Sequence, residues 1–100
     1  MTMIRHIFIA TIKEGIADDV IETKMAEMRV MKDSVPEIEN IWVGRSLGLA
    51  GPADTVSMVV DVKDKAAFEA LLASEAHTNV AGKAGEAFRT DTFVLSQIEI

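Results

Sequence analysis

The sequence has no cysteine and no tyrosine, one tryptophan and two prolines in 100 residues. Without cysteine there can be no disulfide, no thiolate metal site and no cysteine nucleophile. No apolar run approaches the ~20 residues that a membrane-spanning helix needs, so no membrane partner is expected. The first ten residues carry Arg5 and His6 inside their apolar stretch, with no small-residue cleavage site after them. A secretory signal is therefore not expected, and the chain reads as cytoplasmic. Bases are in deficit, 10 against 16 acids for a net charge of −6, and they are scattered. That removes the basic face on which nucleic acid binds. No glycine-rich phosphate loop follows a strand, no His-x-His or His-x-x-His pair occurs, and no serine has nucleophile-elbow spacing. Neither a metal site nor a cofactor is expected.

What is present is a folding pattern. Apolar residues make up 49% and charged residues 26%, the balance of a globular chain, and the length suits one domain spanning 1–100. Residues 3–13 are β-branched, aromatic and free of Gly and Pro, which reads as a central strand with apolar contacts on both faces. Residues 17–34 are helical by period, with Val20, Ile21, Met25, Met28, Met31 and Val35 on one face. Asp18 and Asp19 suit the helix start, and Glu22, Lys24, Glu27, Arg29, Lys32 and Asp33 supply the wet side. Pro36 forces the stop. Residues 38–47 and 55–63 read as strands joined by the turn-rich segment 48–54. In the second of them Val56, Met58, Val60 and Val62 alternate with Ser57, Val59 and Asp61. Asp64 caps a short helix to Ala73, interrupted at Ser74–Glu75 and followed by a helical piece over roughly 76–88. A last strand covers 91–99.

The order β-α-β-β-α(α)-β is the ferredoxin-like, split-βαβ pattern of an α+β fold: a four-stranded antiparallel sheet with helices on one face. The right-handed crossover rule is expected to set the first and third strands side by side and parallel in its middle. The uncovered face would then carry Ile7, Ile9, Val59, Phe93 and Leu95, an apolar patch too large for a monomer. A second copy packed face to face would bury it, so a homodimer of barrel-like form is expected. Arg45 and Asp61, inside strands, are candidates for pairing across that dimer.

Chemistry rests on two histidines. His6 lies near the start of the first strand, on the side of Ile4, Phe8 and Ala10. The third helical stretch should carry His77 back toward that end, so the two imidazoles are expected to share a pocket between sheet and helices. An imidazole there can take or give a proton near neutrality, and a helix N-terminus would favour a neutral His77. The competing roles are plain: a packed, backbone-bonded His6, and a capping or surface His77. Small-molecule lining is expected from Phe8, Trp42, Met58, Leu71, Val80 and Phe88. Met25, Met28 and Met31, at helical spacing, are core before they are ligand surface.

Met3-Ile-Arg-His6-Ile, Val59-Val60-Asp61, the Ala66–Leu72 helix and Glu75-Ala-His77, taken in order over the whole chain, resemble the stress-responsive dimeric α/β-barrel family. The resemblance implies a ferredoxin-like subunit whose sheets face each other in a dimer. The family includes plant stress-induced proteins and a plant polyketide cyclase. In the cyclase, a histidine matching His77 acts as base with a tyrosine six residues earlier, and a first-strand histidine matches His6. Here Leu71 stands at the tyrosine position and Glu75 at that of a proline. Two functions follow: a dimer binding a small apolar molecule, or a cofactor-independent enzyme (a cyclase-like lyase, an isomerase or a small monooxygenase) with His77 as general base and His6 beside it.

Overall fold

The computed structural model describes residues 2–100. Its elements run β1 (Ile4–Thr11), α1 (Asp18–Arg29), α2 (Met31–Ser34), β2 (Ile38–Arg45), β3 (Thr55–Val62), α3 (Lys65–Ala73), α4 (Glu75–Lys83) and β4 (Val94–Glu99), with a 3₁₀ turn at Ala84–Glu86. The helix expected over 17–34 is broken at Val30, whose N–H bonds the carbonyls of Ala26 and Met28. Asp64 caps α3 by accepting from the Ala67 N–H at 2.9 Å. Ser74 closes one helix and opens the next: its hydroxyl donates to the Leu71 carbonyl at 2.7 Å and accepts from the His77 N–H at 3.2 Å. That double use of one hydroxyl is why α4 starts at Glu75.

The strand order is β2-β3-β1-β4, and every neighbouring pair is antiparallel. The expectation that β1 and β3 run parallel is therefore wrong; they pair from Ile4 opposite Val62 to Thr11 opposite Thr55. The crossover rule governs β1 and β2, which are joined through a helix and run parallel with β3 between them. β3 leaves β2 by a hairpin and so must reverse.

Alternation sorts the strand residues onto two faces. Toward the helices point Ala10, Val56, Met58, Val60 and Val62, which with Ile21, Met25, Met28, Met31, Val35, Leu71 and Phe88 form the buried core. Val20, expected in the α1 stripe, is exposed, whereas Lys24, expected on its wet side, is buried and its ammonium is paired with Glu86 and Glu27. The other face carries Arg5, Ile7 and Ile9 of β1, with Ser57, Val59 and Asp61 of β3 opposite them. Trp42 lies opposite Val59, and Val94 and Ile98 lie opposite Ile9 and Arg5. Phe93 and Leu95 do not belong to this open face. Phe93 packs edge-on against Phe8 at 5.0 Å, and Leu95 sits opposite Phe8. Residues 93, 94, 95 and 98 are all apolar and support either phase, and a one-residue slip exchanges the faces of a whole strand.

On the open face Arg5 grips Asp61 with two hydrogen bonds, 2.8 and 3.0 Å. Asn40 donates a third to the same carboxylate at 3.2 Å, and the guanidinium lies 5.2 Å from the Trp42 ring centre. Asp61 thus finds its partner within its own chain rather than across a dimer, and Arg45 pairs with Asp18 at 2.9 Å.

Two measurements check this core and cluster. Phe88→Ala, at a site with no solvent exposure, should cost about 3–5 kcal/mol in urea unfolding. The Arg5 guanidinium holds the Asp61 carboxyl below its ordinary range, with Asn40 adding to the effect. A depressed carboxyl stabilises the fold above its unfolded pKa of about 3.9 and loses that contribution as pH falls through the folded value. The melting temperature of Asp61→Asn should therefore lie below that of wild type at neutral pH, with the gap closing below about pH 4.

Candidate functional site

Between the helix-facing side of the sheet and α4 lies a cavity of about 260 Å³. Its walls are nearly all apolar: Phe8 and Met58 from the sheet, Met28 and Met31 from α1 and α2, Leu72 from α3, Val80, Ala81 and Ala84 from α4 and the turn after it, and Phe93 and Leu95 at the β4 edge. Two polar side chains open into it, His6 and His77.

Topology brings them there by a route different from the expected one. Because β3 runs against β1, it ends opposite Ile4, at the end of β1 that carries His6. α3 starts from that end, and its Phe68 ring packs on the His6 imidazole at 5.1 Å with a 57° tilt. The break at Ser74 turns the chain into α4, whose first turn presents His77 to the cavity. His6 is 4% exposed, and its Nδ1 lies 3.0 Å from Gln97 Nε2 on the neighbouring strand, in register with it.

Burial holds the His6 imidazole below its ordinary pKa, and the nearby His77 adds to the effect. Burial also lowers His77, opposed by the Leu72 carbonyl, which attracts a ring proton. Both rings are therefore neutral at neutral pH, the state in which an imidazole offers one donor and one acceptor. Among the described residues there is no cluster of three His, Cys, Asp or Glu side chains able to hold a metal ion. A further hollow between α1 and the turn after α4 is walled largely by Asp19, Lys24, Glu27, Lys83 and Glu86. Lys24 there pairs with both Glu27 and Glu86.

Of the side chains expected to line a pocket, Phe8, Met58 and Val80 do so. Leu71 and Phe88 do not: at 1% and 0% exposure they are sealed in the core, and Leu72, one helical step on, meets the cavity instead. Trp42 lies on the opposite face of the sheet, half exposed beside Arg5, because position 42 has the outward parity of β2. Phe68, Leu72, Phe93, Leu95 and Gln97 were not anticipated. The first two share an apolar stripe visible in the sequence; the other three depend on the phase of β4.

A model of the stress responsive A/B barrel domain matches residues 4–96. No curated protein matches the chain in sequence. Among solved structures, a dimeric ferredoxin-like protein of unknown function from Thermobifida fusca is 21% identical, with a TM-score of 0.85 over 99% of this chain and 92% of that one. A hydroxynitrile lyase from Passiflora edulis is 19% identical, with a TM-score of 0.85 over 98% and 93% of the two chains. A protein of unknown function from Bacteroides thetaiotaomicron, described as a possible oxidoreductase, is 14% identical, with a TM-score of 0.78 over 99% and 98%. At these identities the likeness is one of fold.

The lowered imidazoles have a measurable consequence. In the interval below about pH 6.5 the unfolded chain binds more protons at these sites than the folded one, so stability rises with pH there and is fully present above it. An NMR titration should find both histidines half-protonated below about pH 6.5, and urea stability should fall as pH is lowered through that value. A titration at or above the ordinary value would contradict the burial described.

Proposed function

The chain belongs to the stress responsive A/B barrel domain family, and from that premise we propose that it works as a cytoplasmic homodimer that binds a small, largely apolar molecule in the cavity between sheet and helices. The observation that carries the reading is the cavity itself. Its apolar walls meet only two polar side chains, and a pocket with few, convergent polar groups is the usual form of a small-molecule site. Its volume of about 260 Å³ suits a small compound rather than a long chain. Dimerisation is supported by the open face, where Trp42, Val94 and Ile98 are about half exposed beside Ile7, Ile9 and Val59. Proteins from Thermobifida fusca and Bacteroides fragilis that share the fold are described as dimeric.

A second reading is favoured by the neutral imidazole pair. His77 would accept a proton from a bound carbonyl compound while His6 polarises its oxygen, the work of a cofactor-independent lyase, isomerase or monooxygenase. The fold likeness to a hydroxynitrile lyase is compatible with such chemistry. The cyclase-like variant is weakened because Leu71 is packed in the core, so α3 contributes no hydroxyl to the cavity.

Native mass spectrometry of the protein as purified tests the binding reading. It should find a dimer carrying a small-molecule adduct that Val80→Phe, which fills the cavity, removes. An adduct that survives Val80→Phe would place the ligand elsewhere. Trp42→Asp should leave a folded monomer by light scattering, and an unchanged dimer would remove the sheet face as interface. If the chain is an enzyme, His77→Ala should abolish turnover with the melting temperature nearly unchanged, whereas a large fall in melting temperature would assign His77 to packing.

A further inference from the structure

We propose that Gln97 is a positioning residue that sets the tautomer of His6: its amide donates to Nδ1 and leaves the imidazole proton on Nε2, so His6 meets the cavity as a hydrogen-bond donor. The inference rests on the ligand-binding reading above and narrows the ligand to a neutral, mostly apolar compound with an acceptor oxygen, such as a carbonyl, at the His6 end.

The argument begins with register. His6 and Gln97 are directly paired on β1 and β4, so their side chains leave the sheet on the same face, and Gln97 Nε2 reaches His6 Nδ1 at 3.0 Å. An amide nitrogen has no lone pair to offer and can only donate. Nδ1 is therefore the unprotonated nitrogen of a neutral ring, and the proton lies on Nε2. Among the described residues, no fully buried side-chain nitrogen or oxygen lacks a partner. Nε2 makes no hydrogen bond to the described residues, so it is not sealed in and reaches open space, and the open space that His6 lines is the cavity. The Phe68 ring, 5.1 Å from the imidazole, obstructs rotation of the ring out of this pose. One outer partner thus fixes the polarity with which His6 meets the apolar chamber. A carbonyl oxygen would find its donor at His6.

The test is NMR of the ring nitrogens in uniformly ¹⁵N-labelled protein at pH 7.5, with titration of acetophenone as a neutral carbonyl probe. Wild type should show His6 protonated at Nε2. Gln97→Glu presents a carboxylate that can only accept; it should draw the proton to Nδ1, raise the His6 pKa and weaken the probe roughly tenfold, the worth of one lost hydrogen bond. Gln97→Leu keeps the bulk without the donor and should move the His6 nitrogen shifts towards a tautomer average. Gln97 lies exposed on an edge strand, and an unchanged circular-dichroism melt would confirm that both variants fold. An Nδ1–H tautomer in wild type, or His6 shifts indifferent to both substitutions, would overturn the proposal. Tautomer inversion without probe binding in wild type would uphold the role of Gln97 and overturn the ligand reading. Probe binding without a His6 response would do the reverse.

Discussion

A β-strand residue can face only one side of its sheet, and this chain covers one side alone. That constraint organises the rest. In β1, Ile4, His6, Phe8 and Ala10 go to the helices, while Arg5, Ile7 and Ile9 go to the uncovered side. In β3, Val56, Met58, Val60 and Val62 alternate with Ser57, Val59 and Asp61. Each set then meets a different physical demand. The covered set must be apolar and close-packed, and the one histidine it admits loses its easy protonation. The uncovered set keeps its charged members neutralised within the chain. Arg5, Asp61 and Asn40 are joined by three hydrogen bonds, so a surface bearing Trp42, Val94 and Ile98 carries its ionic groups already paired. A buried pair adds little to stability, but an unpaired buried charge is costly.

The same separation protects the candidate site. The ionised carboxylate of Asp61 sits on the face opposite His6, and the cavity walls near the imidazoles carry no acid. Burial is thus the first cause of the lowered pKa at both rings. A neutral ring has directional polarity, and the Gln97 amide stands 3.0 Å from Nδ1 of His6. The cavity exists because helical cover is incomplete at one edge. α1 and α2 pack over β2 and α3 over β3, whereas β4 is exposed along its length, so Phe93 and Leu95 wall the chamber without sealing it.

Much of this was legible in the residues and some of it was not. The alternation of 55–63, the caps at Asp64 and the stop at Pro36 are local signals, and the elements form where those signals lie. The family resemblance carried by the residues around His6, Asp61 and His77 also holds. Relations between elements were harder to read. The direction of β3 against β1 follows from hairpin connectivity rather than composition, and reading it as parallel misdescribed the path from β3 to His77. The phase of β4 was ambiguous because Phe93 just before it and Val94, Leu95 and Ile98 within it fit either face. One step around a helix separates Leu71, which is core, from Leu72, which lines the cavity. Gln97 gave no sign at all, because a polar residue on an edge strand becomes informative only once its register with His6 is known.

The account stands or falls on whether a second copy covers the bare side of the sheet. Sedimentation equilibrium of the wild-type chain at micromolar concentration measures that directly. The account predicts a single species at twice the 10.9 kDa of the chain, and a species at 10.9 kDa throughout would contradict it.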